Sequence, residues 1–361
     1  MFPARRADNP ASQARRTLVS RPVLFRRESM QTDTHPHGRH RHGLAFDHHD
    51  HHPKCGHGHD HGHEHDHDHH HHGPEAPPGP KRPGILLVAF GTTVVPARQA
   101  YDQFEVQVRA RYPGIPLAWG FTAHKVRRKL ADQGLPHDCV AVALSRMHDQ
   151  GVTHLTVQSL HTIPGVEYFW TENLAKAYEH PRKGFIQVAL GAPLLKDPED
   201  LRRVADCLPG FIPRERRPDE AVILAGHGTY HDGQQRYLDL QSQFQDRDPL
   251  LHTALLMGEP GLAAIIAQLQ EQRVSTVWLL PFMAVCGHHV QKDMFGDRPT
   301  SWSNRLRTAG FEVREHAAGT IESPCFRSIW LDHLDTAMDS LGLTEPTAAQ
   351  PNHGGVGHAH H

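Results

Sequence analysis

Ala221-Val-Ile-Leu-Ala-Gly-His-Gly-Thr229 is an apolar run that stops at two glycines with a single imidazole, His227, between them. A short aliphatic run without polar alternation reads as a strand buried on both faces, the kind found in parallel sheets. Gly84-Ile-Leu-Leu-Val-Ala-Phe-Gly-Thr92 has the same form. Laid on each other without gaps, Ala89-Phe-Gly-Thr92 faces Gly226-His-Gly-Thr229, so Phe90 takes the place of His227. Residues 152–167 lie in the same way on 274–289, with Gly165 on Gly287 and Glu167 on His289. An internal duplication accounts for both matches.

Helical character at 97–112, 125–131, 139–150 and 168–179 alternates with apolar runs at 117–121, 152–160 and 185–190. That alternation predicts right-handed βαβ units. The expected fold is α/β: two similar three-layer halves, residues 84–218 and 219–342, whose parallel sheets face a central cleft. Open α/β sheets bind ligands at the carboxyl ends of their strands. His227, His289 and Glu167 all fall at such ends. An imidazole there, beside glycines that let another molecule approach the backbone, suits metal binding or proton transfer.

The flanking segments have a different composition. Residues 1–83 form an Arg-rich stretch, a His-rich stretch and a Pro/Gly linker, and 343–361 form a tail that ends in Gly-His-Ala-His-His361. Residues 1–29 lack the apolar segment of a secretory signal; they fit an organellar transit peptide, a disordered tail, or an upstream misreading with Met30 as the start. From His35 to His72 nearly every second residue is histidine, as in His57-Gly-His-Asp-His-Gly-His-Glu-His-Asp-His-Asp-His-His-His-His72. This composition cannot bury a core and is expected to be disordered, while its imidazoles and carboxylates gather divalent ions such as Ni(II), Co(II), Zn(II) or Cu(II).

With 38 Lys and Arg against 40 Asp and Glu, the formal charge of −2 gives no support to a nucleic-acid partner. No run approaches the roughly 20 apolar residues of a membrane span, so no membrane partner is expected. Cys55, Cys139, Cys207, Cys286 and Cys325 contain no Cys-x-x-Cys and read as reduced thiols of a cytoplasmic protein. Nothing matches a phosphate-binding Gly-x-x-x-x-Gly-Lys loop, so no nucleotide is expected. A homo-oligomer stays open at this point.

Between residues 85 and 337 the chain resembles the anaerobic cobalt chelatases of cobalamin biosynthesis, single-chain class II chelatases similar in fold to ferrochelatase. The resemblance rests on Phe90-Gly-Thr92, Arg128-Lys129-Leu130, Gln158-Ser-Leu-His161 with Glu167-Tyr168, Gly191-Ala-Pro-Leu-Leu195, Gly226-His-Gly228, and Gly287-His-His289 followed by Asp293-Met294. It implies insertion of Co(II), as substrate metal, into sirohydrochlorin or its precorrin-2 form without ATP. It also implies His227 and His289 as metal ligands, with His227 and Glu167 handling protons. Phe90, Gly91, Thr92, Gly228, Arg128 and Lys129 would line the tetrapyrrole site, the two cations meeting its carboxylates. His161 fits a supporting or packing role.

One departure concerns a third, carboxylate ligand about thirty residues after the first histidine. A gapless count lands on Met257, and Glu259 lies two positions on. Glu259, a Met257 thioether, His288 or water are the candidates; adjacent histidines in extended chain point to opposite faces, so only one of His288 and His289 is expected at the metal. Two other readings stand beside the cobaltochelatase: a nickel or iron chelatase on the same tetrapyrrole, and a non-catalytic cobalt or nickel store in which the His tract carries the function.

Overall fold

The computed structural model describes residues 80–343. The Arg-rich and His-rich stretches, most of the linker and nearly all of the C-terminal tail therefore lie outside the described residues. Strands β1 (Pro83–Ala89), β2 (Leu117–Phe121), β3 (His154–Ser159) and β4 (Gln187–Gly191) form one parallel sheet in the order β2-β1-β3-β4. Strands β5 (Ala221–Gly226), β6 (Leu251–Leu255), β7 (Thr276–Pro281) and β8 (Glu312–Glu315) form a second in the order β6-β5-β7-β8. Four strands wound twice in the same order are what the duplicated sequence predicts. β3 and β7 even begin and end at the residues that the gapless alignment pairs.

The helices of the first half are α1 (Val95–Arg111), α2 (His124–Asp132), α3 (Val140–Asp149), α4 (Val166–Ala177) and α5 (Pro198–Phe211). Those that follow are α6 (Gln235–Phe244), α7 (Leu262–Glu271), α8 (Trp302–Thr308) and α9 (Pro324–Ser340). Proline in the first turn opens α1, α5 and α9, where its missing N–H costs nothing. Asp197 also caps α5 by accepting from Glu199 and Asp200 N–H.

Side-chain alternation along the central strands explains the layers. Ile85, Leu87 and Ala89 of β1 enter the same core as Val222 and Leu224 of β5, with Phe104, Leu208, Tyr237 and Trp330 from the helices between. Leu86 and Val88 point the other way into a cluster with α3, and Ile223 and Ala225 into one with α7 and α8. The sheets thus share an inner core and each has its own outer one. A fully buried Leu, Ile or Val contributes about 1.5–3 kcal/mol, and a one-residue slip would exchange inner for outer positions, so burial fixes the register. α9 does not stay with the second sheet: it packs on β3 and β4 of the first, beside α5.

That packing corrects one expectation. Cys207 on α5 and Cys325 on α9 form a disulfide, with Cα atoms 5.6 Å apart across 118 residues of sequence. Spacing could not reveal the pair, because only the return of α9 to the first half brings the two together. Cys139 and Cys286 are free, and Cys55 lies outside the described residues. Among the described residues, no helix is long and apolar enough to cross a membrane.

Candidate functional site

The central strands β1 and β5 end in matching turns. Gly91 and Gly228 hold φ of +87° and +78°, which side chains other than glycine rarely adopt. Each turn then touches the other half. A Cβ on Gly287 would stand 3.4 Å from Thr92 Oγ1, and a Cβ on Gly165 would stand 3.8 Å from Thr229 Cγ2. Thr92 and Thr229 are partners in the duplication, as are Gly165 and Gly287, so one contact is made twice about a pseudo-twofold axis. The carboxyl ends of the two sheets are thereby brought to one place.

His227 leaves the end of β5 there, and His289 follows the Gly287 turn after β7. Their rings lie 5.1 Å apart, centre to centre, with planes at 74°. Each has its Nδ1 occupied. His227 Nδ1 is 3.0 Å from Gly228 O, and a carbonyl can only accept, so Nδ1 carries the proton. His289 Nδ1 is 2.7 Å from Asp293 Oδ2, and an ionised carboxylate makes the same demand. In the neutral form of each ring these contacts leave Nε2 as the nitrogen with the free lone pair. A ring nitrogen binds a divalent ion at about 2.1 Å, and ring centres 5.1 Å apart put both imidazoles within reach of one ion.

Asp293 reaches His289 because it follows four residues later on a helical turn. Gly287 O accepts from Gln291 N–H to open a helical turn, and Val290–Met294 is π-helical. His288 and His289 lie on that turn and not in extended chain, so the helix sets their directions apart; His289 is the one whose ring meets His227. The π-turn is a local cost that such segments bear mostly at functional sites.

Other predicted residues occupy varied positions. Phe90, at the place equivalent to His227, is 42% exposed, while Thr92 is buried and accepts from Val94 N–H through its side chain. Glu167 is half-buried in the first turn of α4, where the helix dipole favours a carboxylate. Arg128 and Lys129 are exposed on α2 and make no ion pair among the described residues. His161 follows the end of β3: its Nδ1 meets Ser159 Oγ at 2.8 Å, its Nε2 is enclosed without a partner, and burial pulls its pKa down to about 4.

Glu259 is exposed and turned back on its own loop, accepting from Gly261 N–H at 2.8 Å. Among the described residues no group of three or more His, Cys, Asp and Glu side chains comes together to hold a metal ion. Met257 stays close through its backbone, its N–H donating to His227 O at 2.9 Å. Burial, with Glu322 adding to it, pushes the Cys286 thiol up to about 12, so it stays protonated and is no ready ligand. Sequence reasoning quoted Asp293 as part of a motif without giving it a role; its i+4 spacing from His289 was the available signal.

The cobalt chelatase (CbiK) family model matches residues 83–339, from the first residue of β1 to the end of α9. The chain belongs to the cobalt chelatase family. It is 40% identical over 260 residues to the sirohydrochlorin cobaltochelatase CbiKC of Nitratidesulfovibrio vulgaris, a match that covers 72% of this chain and 91% of that protein. It is 29% identical over 257 residues to the sirohydrochlorin cobaltochelatase of Salmonella typhimurium, covering 71% and 96% respectively. In fold it is similar to SirB of Bacillus subtilis, solved with Fe3+, at a TM-score of 0.50 and 16% identity over 72% of this chain and 98% of that one. The match leaves out the His-rich stretch, so the cobalt chelatase body here bears an extension that the family model does not span.

Proposed function

We propose that this cobalt chelatase inserts Co(II) into sirohydrochlorin, with His227 and His289 as the metal's ligands before transfer. The observation that carries the reading is the contact between two imidazoles that each have Nδ1 engaged and Nε2 free. Neutral imidazoles hold borderline divalent ions without the grip of thiolates, which suits a metal that must be handed on. The exchange releases two protons from the macrocycle's pyrrole nitrogens for each ion that enters. The carboxylate of Glu167 takes one, and His227 takes the other on Nε2 once the metal has left that nitrogen. Phe90 and Tyr230, 42% and 88% exposed, flank the two glycine turns and offer apolar faces to a flat ring. Gly91, Thr92 and Gly228 let it approach the backbone, and Arg128 and Lys129 meet its carboxylates. Glu259, Met257, His288 or water completes the metal's coordination.

The His-rich stretch acts in this reading as a reservoir of Co(II) or Ni(II) for the enzyme. The placement in the cytoplasm and the absence of a nucleotide requirement belong to the same proposal. Parallel assays of Co(II), Ni(II) and Fe(II) insertion into sirohydrochlorin by the purified protein test the metal. Cobalt is expected to be inserted fastest, and faster insertion of nickel or iron would overturn the assignment.

A further inference from the structure

His231, four residues beyond His227, carries its proton on the other nitrogen. The chain from Thr229 to Gln234 folds on itself: His231 N–H donates to Thr229 Oγ1 at 3.2 Å, and Gly233 N–H donates to His231 Nδ1 at 3.0 Å. A backbone N–H can only donate, so this Nδ1 holds the lone pair and the ring proton sits on Nε2. Where His227 and His289 offer a lone pair, His231 offers a hydrogen-bond donor. His180 makes the same kind of cap, its Nδ1 accepting from Arg182 and Lys183 N–H, so the cap alone marks a turn and not a site.

Position sets His231 apart. With Thr229, Tyr230 and Asp232 it lines a hollow of about 410 Å³ along the chain that leaves the His227 turn. Gly258, next to the Met257 whose N–H binds His227 O, lines it too. The imidazole is held from the first half of the molecule, where the Phe169 ring lies 5.0 Å from it. Gly233, which supplies the capping N–H, packs so closely that a Cβ on it would stand 2.2 Å from Pro164 O. His231 Nε2 has no partner among the described residues, and unlike His161 Nε2 it is not enclosed. We infer that His231 is a substrate-binding residue, donating from Nε2–H to a carboxylate at the edge of sirohydrochlorin. Asp232, the one acid of the lining, is exposed, so water and salt screen its repulsion of that carboxylate. This inference rests on the reading of the cleft as the sirohydrochlorin site.

The test is titration of the full-length protein with metal-free sirohydrochlorin, followed by absorbance, with insertion kinetics measured alongside. His231→Asn keeps an acceptor for Gly233 N–H and loses the Nε2 donor. It is expected to raise Kd for sirohydrochlorin about tenfold, as befits a lost hydrogen bond to a charged group, with the melting temperature and KM for Co(II) unchanged. His231→Asp also keeps the cap but sets a negative charge there, and is expected to bind more weakly still. An unchanged Kd in His231→Asn, a rise confined to KM for Co(II), a Kd that rises only in step with a lower melting temperature, or tighter binding by His231→Asp than by His231→Asn would each overturn the inference. Wild type separates the two claims. Its own failure to bind sirohydrochlorin sinks the reading of the cleft and this inference together, whereas normal binding by wild type and by His231→Asn alike sinks the inference alone.

Discussion

Asp293 decides which nitrogen of His289 is free, and so it should matter as much as a ligand while touching no metal. Removing the outer partner of a metal-binding histidine typically lowers affinity or activity about 10–100-fold. Asp293→Ala is expected to reduce kcat/KM for Co(II) within that range, and a value equal to wild type would contradict the tautomer argument. His161 gives a second prediction, because burial holds it neutral with a pKa of about 4, below the ordinary 6.5. Between those values the unfolded chain binds a proton that the folded chain refuses. Stability is therefore full above about pH 6.5 and falls as the pH drops toward 4, by roughly 3 kcal/mol at most. Urea midpoints at pH 7 and pH 5 should separate less in His161→Asn than in wild type; equal separation would show that other groups carry the effect. His227 and His289 were legible in the sequence because glycines flank them and the duplication pairs their surroundings. The partner of His227 was not, since Gly228 O reaches the ring only through a left-handed turn; that of His289 lay at the i+4 spacing of a helical turn.

Among the elements, the turn after β5 is the least replaceable. Gly228 needs φ of +78°, and a Cβ on it would fall 1.7 Å from Met257 O. Gly134 also has a positive φ, +76°, but faces open space. Gly134→Ala should cost about 1 kcal/mol, the backbone term alone. Gly228→Ala adds a backbone clash and should cost about 3 kcal/mol or more, with loss of insertion activity. Equal melting temperatures for the two variants would count against the tight packing of the turn. The strands show where sequence reading reached its limit. β1, β3, β5 and β7 carry runs that are apolar or β-branched and buried on both faces, and they stand where expected. β6 hides His252 and Thr253 inside the sheet, and β8, Glu-Val-Arg-Glu, is an edge strand with little to bury. Neither has the apolar period by which a strand is recognised.

At the scale of the molecule, a duplicated body joins its two copies at the strand ends and locks the last helix back onto the first sheet. The duplication was legible because both copies keep their glycines in register; the return of α9 was not, because an amphipathic helix does not say which sheet it covers. The His-rich stretch adds a separate expectation. Deleting residues 30–80 should lower the number of Co(II) ions bound per chain while leaving turnover at saturating Co(II) within about twofold of wild type, and a collapse of turnover in excess cobalt would make the stretch part of the active site. The central claim is that two imidazoles at the joined strand ends carry the metal into the macrocycle. It is tested most directly by the initial rate of Co(II) insertion into sirohydrochlorin for His227→Ala beside wild type, each corrected for the spontaneous rate. The account predicts that His227→Ala falls to near the uncatalysed rate although the His-rich stretch still binds cobalt; a rate equal to wild type would contradict it.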